Sequence, residues 1–274
     1  MLRKIYYFLS PNLRLLARKI FYFPVDLYEG ISGKRQKDIP KKGDIFIGSG
    51  DFVTQGESQV SHLKNYIDLK PTDKVLDIGC GIGRTAFALQ NFINKEGSYD
   101  GFDAMKKGID WCDKNIHQKN QNFNFKYAPL KNALYNKSEG NAEFFKFPYS
   151  ENQFDKAFLF SVFTHMKINE IQNYLNEICR TLKPNGKCLA TFFIYSDKDN
   201  LDSFEGFRFP IKRDGYRLLD KNVEEANIAI EIKTLEKMIA ISGLKLEEKI
   251  NGFWNDFTKN KDKIDFQDII ILKK

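Results

Sequence analysis

Val75-Leu76-Asp77-Ile78-Gly79-Cys80-Gly81-Ile82-Gly83-Arg84 is the stretch from which the rest of the chain can be read. Apolar residues and one aspartate run straight into a loop with glycine at 79, 81 and 83. A helical pattern follows through Thr85, Ala86, Phe87, Leu89, Phe92 and Ile93. The pattern reads as a buried strand, a sharp turn and a helix N-terminus. Glycine lets a backbone approach a ligand without Cβ interference, and a helix start offers N–H groups with no intrahelical partner. A bound ligand is therefore expected at this turn.

Downstream, Ser98–Asp103 reads as a second strand ending in an acid twenty residues past Gly83. That is where a βαβ nucleotide-binding unit sets a carboxylate on a ribose. A helix over about 106–120, a strand over 123–127, a longer polar connection over 128–146 and a strand over 156–160 come next. Ser161-Val162-Phe163-Thr164-His165-Met166 forms the loop after that fourth strand. A helix over 168–182, a stop and turn at Leu182-Lys183-Pro184-Asn185-Gly186 and a fifth strand over 187–195 complete the alternation. Strand and helix in alternation predict a doubly wound α/β sheet. Residues 196–226 read as an irregular, aromatic insertion or lid containing Phe204, Phe207, Phe209 and Tyr216. Residues 228–242 read as a helix, and 244–250 and 266–272 as strands pairing around Gly252-Phe253-Trp254.

Upstream, a helix over about 57–69 leads into the first strand. Gly48-Ser49-Gly50-Asp51 precedes it and reads as a flexible flap over the ligand or as a simple turn. Residues 30–44 are charged and punctuated by glycine and proline, as a linker is. Residues 2–23 read as helical, interrupted at Ser10-Pro11. Leu2, Ile5, Tyr6, Leu9, Leu13, Leu16 and Ile20 share one face, and Arg3, Lys4, Arg14, Arg18 and Lys19 lie mostly opposite. Such an amphipathic helix docks its apolar stripe on its own body or a second subunit, or lies on an anionic membrane surface. The division is thus a basic helical extension with linker over 1–44 and one domain over 45–274.

Residues 1–43 contain ten Lys or Arg and three acids, which accounts for the whole net charge of +7; the remainder is neutral. A neutral body disfavours nucleic acid as a partner. The four cysteines, Cys80, Cys112, Cys179 and Cys188, form no C-x-x-C pair and no metal-ligand spacing, so reduced thiols, no metal and a cytoplasmic location are expected. No run of 18 apolar residues is present, so no membrane-spanning helix is predicted.

Residues 75–84 closely resemble the first motif of class I S-adenosylmethionine (SAM)-dependent methyltransferases. Asp103 ending the second strand, Phe154-Asp155, residues 161–166, Leu-Lys-Pro-Asn-Gly-Lys before the fifth strand and the terminal helix-strand-loop-strand follow in that family's order. The resemblance covers about residues 57–274. It implies a Rossmann-like sheet of about seven strands, mostly parallel with an antiparallel last strand, and SAM as cofactor. A nicotinamide dehydrogenase would need glycine where Arg84 stands, and its diphosphate would be repelled by Asp77.

By the resemblance, Asp77 orders the loop and holds the methionine end of SAM. Gly79, Cys80, Gly81 and Gly83 pass their backbone against it, with Ser161 nearby. Asp103 accepts from the ribose hydroxyls; Ala104 and Met105 border the adenine. Many relatives carry an acid just after the third strand. Ala128-Pro129-Leu130 stands there instead, so adenine recognition falls to backbone groups or to 141–143. A hydroxyl acceptor needs a base as it loses its proton, and His165 is the candidate; the other reading of His165 is structural. Thr164, Tyr195, Phe207, Arg208 and Tyr216 are expected on the acceptor side, with Asp51, Phe52, Phe253 and Trp254 as lesser candidates. The activity implied is methyl transfer to a hydroxyl, less readily an amine, of a small-molecule, glycan or lipid-linked acceptor. Alternatives are a SAM-binding scaffold without turnover and a protein or RNA methyltransferase.

Overall fold

The computed structural model describes residues 11–36, 38–46, 48, 50–132, 138–199, 201, 207–255 and 265–274. Leu2, Ile5, Tyr6 and Leu9 of the expected stripe, Ser49 of the expected flap and Phe204 of the expected lid lie outside them.

Val75, Leu76 and Ile78 of β1 (Lys74–Ile78) are fully buried, as near-continuous apolar strands are when helices cover both faces of a parallel sheet. β1 pairs in parallel with β2 (Ser98–Asp103) and β4 (Phe154–Leu159). β3 (Phe123–Tyr127), β5 (Leu182–Phe192), β10 (Lys245–Ile250) and β11 (Asp268–Lys273) complete a seven-stranded sheet of order β10-β11-β5-β4-β1-β2-β3. Only β11 runs against its neighbours. The order reverses between β4 and β1, and such sheets bind ligands at the carboxyl ends of their strands at that switch. The seven strands and the reversed final strand are as the resemblance implied.

Three boundaries differ from expectation for identifiable reasons. The fifth strand starts at Leu182, because residues 183–186 form a bulge: pairing jumps from Phe154–Leu182 to Lys156–Lys187. Asn185 takes a left-handed conformation there. The helix expected over 57–69 is α2 (Phe52–Ile67), which follows α1 (Pro11–Ile31). It starts early because Asp51 caps it, its carboxylate accepting from Val53 and Thr54 N–H at 3.1 and 3.0 Å. Asp51 is therefore a cap, not an acceptor-side residue. The linker starts after Ile31, since α1 continues through Pro24.

The largest difference lies in 196–231. The chain builds a second, four-stranded sheet from β6 (Ile194–Tyr195), β7 (Ile211–Arg213), β8 (Tyr216–Leu218) and β9 (Ile228–Glu231). Residues 228–231 are thus strand, and only Ile232–Ser242 is helix. Ile228, Ala229 and Ile230 are β-branched or small and wholly buried, which suits a two-sided strand better than an amphipathic helix.

The two sheets meet at Asp268. Its carboxylate accepts from Ile194 N–H at 2.7 Å, Gly252 N–H at 2.8 Å and the Trp254 indole at 2.7 Å. Ile194 N–H lies just past the end of β5, and Gly252 N–H and the Trp254 indole lie in the loop after β10. Trp254 packs edge-on against Phe193 and Phe209. Trp254 and Phe253 therefore belong to this junction rather than to an acceptor site. An Asp268→Ala substitution leaves three buried donors unsatisfied. It is expected to lower unfolding free energy by about 3 kcal/mol or more, read by urea titration; a loss below about 1 kcal/mol would contradict this role.

Candidate functional site

The geometry of the glycine loop follows from its conformation. Gly79, Gly81 and Gly83 all have positive φ, at 79°, 60° and 75°. A Cβ on Gly79 would lie 2.5 Å from Val162 Cγ2, and one on Gly83 would lie 2.7 Å from Cys112 Sγ. Both conformation and space therefore require glycine. Gly83 is also the residue preceding α3 (Arg84–Leu89). Gly83 faces the packed interior, so its role is packing rather than ligand contact.

The loop forms one wall of a cavity of about 290 Å³ at the carboxyl ends of β1, β2 and β4. Asp77, Gly79, Cys80, Asp103, Ala104, Met105, Ser161 and His165 line it, as do Leu130 and Ala142 near the expected adenine region. Gly81 does not line it, but its N–H donates to Asp103 Oδ2 at 2.8 Å; Met105 N–H donates to Oδ1 at 2.7 Å. Asp103 thus ties the glycine loop to the end of β2. Burial pushes its carboxyl up to about 6, against the opposing pull of those two N–H groups. Asp77 accepts from Tyr99 Oη at 2.5 Å. Burial, reinforced by the neighbouring Asp103 and opposed by the Tyr99 bond, pushes Asp77 up to about 8.

On the opposite wall, His165 lies in the turn after β4. Its Nδ1 is 2.9 Å from the Glu225 carbonyl, which fixes Nδ1 as a donor to that oxygen. Burial holds its pKa below the ordinary value, so the ring is neutral near pH 7. Ser161 has φ of 60° and donates its hydroxyl to Gln267 at 2.9 Å, joining the β4 turn to the start of β11 across the cavity rim. Thr164 is buried and donates to the Ser161 carbonyl at 3.0 Å, so it braces the turn and does not line the cavity.

The expected lid residues are not brought together with these. Tyr195, Phe207, Arg208 and Tyr216 do not line the cavity. Phe207 stacks with Phe193 and Phe209 in the junction cluster, Arg208 is exposed, Tyr195 lies beneath Arg217, and Tyr216 is a β8 ladder residue. The second sheet reaches the site through the 224–226 turn that holds His165.

Residues that sequence reasoning missed include Phe46, Arg84, Glu170, Tyr174 and Gln267. Arg84 is buried against Gly48. Glu170 lies at the start of α5 (Ile168–Thr181), where its carboxylate accepts from Lys167 N–H at 2.9 Å; burial raises its pKa. An acid three residues into a helix signals a capping box, and nothing in that spacing reveals that the same side chain faces a cavity.

The donor set fits SAM. Desolvation destabilises the carboxylate forms of Asp77 and Asp103, and a cationic ligand beside them offsets that penalty. Arg84, which lines the same cavity, would supply a counter-charge for a ligand carboxylate.

A family profile described as a methyltransferase domain matches residues 76–190. Phosphoethanolamine N-methyltransferase 3 of Arabidopsis thaliana is 27% identical over 236 residues, covering 81% of this chain and 42% of its own length. Phosphoethanolamine N-methyltransferase of Plasmodium falciparum is 27% identical over 185 residues, covering 67% of this chain and 59% of its own. The chain thus spans about half the length of these curated relatives. The crystal structure of a SAM-dependent methyltransferase from Methanosarcina mazei superposes with a TM-score of 0.50 at 21% identity, over 75% of this chain and 94% of that one. Residues 76–190, which carry the glycine loop, thus match a methyltransferase-domain family, and the seven-stranded sheet with its reversed last strand has the Rossmann-like fold of that SAM-dependent methyltransferase structure.

Proposed function

We propose that this chain transfers the methyl group of SAM to a hydroxyl of a small-molecule, glycan or lipid-linked acceptor. The observation that carries the donor half is the pair of buried carboxylates, Asp77 and Asp103, facing one cavity beside the glycine loop. Asp103 retains lone pairs for ribose hydroxyls beyond the two N–H bonds it accepts. Asp77 and the loop backbone hold the methionine end, and Arg84 meets its carboxylate. When bound, SAM supplies an electrophilic methyl carbon on a sulfonium.

The chain's contribution is alignment and exclusion of water. Phe46, Phe102, Phe160 and Tyr174 give the cavity apolar walls. His165, neutral and oriented by Glu225, takes the proton that the acceptor hydroxyl loses. An amine acceptor is the second reading. It is supported by Glu170, a carboxylate on the cavity wall suited to an ammonium group, and by the relatives named for phosphoethanolamine N-methylation.

Calorimetric titration with SAM tests the donor assignment: the wild type binds, and Asp103→Ala weakens binding at least tenfold. Unchanged binding by that variant would sink the assignment.

The pH dependence follows from the same carboxyls. Because both folded-state pKa values are raised, the ligand-free fold keeps protons that the unfolded chain has lost above about pH 4. Their contribution to stability therefore declines as pH rises through about 6 and about 8. A cationic ligand favours the ionised forms, so SAM affinity rises over that window, by up to about tenfold per pH unit per proton released, and levels off above it. Asp77→Asn flattens the upper part of the profile. A profile flat in the wild type contradicts the assignment.

Labelled SAM incubated with hydroxyl acceptors in one arm and phosphoethanolamine in another separates the two readings. His165→Gln is expected to lower turnover by roughly 10²–10⁴-fold with SAM affinity unchanged. Binding without labelled product in any arm favours the scaffold alternative.

A further inference from the structure

α1 is oriented opposite to an ordinary docked helix. Its polar side is fastened to the turn Lys42–Asp44: Asp26 accepts from Lys42 and Gly43 N–H at 2.8 and 2.9 Å, and Arg18 Nε donates to the Lys42 carbonyl. Lys19 pairs with Asp44 at 3.1 Å and Lys42 with Glu29 at 2.5 Å. Asp44 in turn binds Lys107 of α4 (Lys106–Cys112) at 2.9 Å. The apolar side is left facing outward. Leu16 is 52% exposed, Ile20 66%, Phe23 62%, Leu27 49% and Ile31 80%. At about 100° per residue these side chains fall within an arc of roughly 80°. Phe21 and Tyr28, also exposed, flank it.

Beside the stripe, a groove of about 360 Å³ is lined by Phe23, Leu27 and Ile31, by Lys19, Arg35 and Lys41, and by Asp26 and Asp44, whose carboxylates are already held by Lys42 and Gly43 N–H and by Lys19 and Lys107. Among the described residues, Arg35 and Lys41 form no ion pair. An apolar stripe edged by cations, on the one segment that carries the chain's whole net charge of +7, is complementary to anionic lipid. A second copy fits less well. The 3-4 spacing of Leu13, Leu16, Ile20, Phe23 and Leu27 reaches Gly30 at its next position and has Pro24 beside it. The flanking charges Lys19 and Asp26 are already engaged by the body, not available for pairing between helices.

We infer that α1 seats this protein peripherally on an anionic bilayer, with Leu16, Ile20, Phe23, Leu27 and Ile31 in the interface and Arg35 and Lys41 at lipid phosphates. No helix of the described residues is long and apolar enough to cross a membrane, so α1 lies on the surface. The turn it is bolted to runs directly into Phe46 and Gly48 on the cavity wall, so seating α1 also sets the orientation of the cavity toward the bilayer. This inference stands independently of the methyl acceptor.

Flotation of the full chain with phosphatidylcholine vesicles, with and without phosphatidylserine, is the test. Binding is expected to the phosphatidylserine vesicles and not to phosphatidylcholine alone. Arg35→Gln and Lys41→Gln each weaken it about fivefold, and raised salt weakens it further. Leu16→Asp, Ile20→Asp and Phe23→Asp combined abolish it while the thermal midpoint, read by circular dichroism, stays within a few degrees, because these side chains are exposed. Absence of wild-type flotation, equal binding to both vesicle types, or charge variants that bind as the wild type does overturns the inference. So does a wild-type dimer in sedimentation velocity that the triple variant dissolves without any vesicle binding.

Discussion

The site depends on one carboxylate making two backbone contacts. Asp103 holds Gly81 N–H with one oxygen and Met105 N–H with the other. Those N–H groups belong to loops after two adjacent parallel strands, which the ladder hydrogen bonds no longer control past Ile78 and Asp103. Gly79 and Cys80 N–H hold the start of the glycine loop on the Phe102 carbonyl, at 2.9 and 3.1 Å, and the carboxylate holds its middle at Gly81. With it, the loop is fixed against the end of β2, and the space between them becomes one wall of the cavity. Burial raises the pKa of both Asp103 and Asp77, and Asp103 adds to the rise at Asp77.

The same economy of backbone anchoring recurs around the cavity. Ser161 N–H donates to Thr191 Oγ1 and its hydroxyl reaches Gln267. His165 is oriented by the Glu225 carbonyl, and Asn132 donates to the His165 carbonyl at 3.2 Å. Each contact ties a loop after one strand to another element, so the walls are set by polar contacts between loops while the apolar sheet beneath supplies the rigid base.

It also explains what the sequence made legible. Residues 75–84, 98–103 and 123–127 were readable because local pattern and local structure coincide there: apolar strand, then glycine or acid at its end. Site residues within one loop of those strands, such as Asp77, Gly79, Asp103 and Met105, came with them, and so did His165. Phe46, Glu170 and Gln267 reach the cavity from separate elements that only the folded sheet brings together, and no local spacing marks them. The second sheet was illegible for a related reason. Its strands are two to four residues long, too short for a period to declare itself, and β9 runs straight into a helix, so its apolar residues merge with the helical pattern that follows.

Amphipathicity of the N-terminal segment could be read from spacing, but the direction in which its apolar face points could not. A moment gives the contrast between two faces and says nothing about which one finds a partner. Here the polar face carries Asp26 and Glu29 among its cations, and Asp26 accepts from the backbone N–H groups of Lys42, exposed, and Gly43, buried. Charge-assisted bonds to backbone donors are among the stronger surface contacts, and several act together across the 42–44 turn. Reversing the helix would break all of them and would set the apolar stripe against Asp44, Lys107 and Lys41 at this turn. The outward apolar face is therefore a consequence of where the counter-charges lie in the chain, and it leaves the stripe to be covered by something outside the fold.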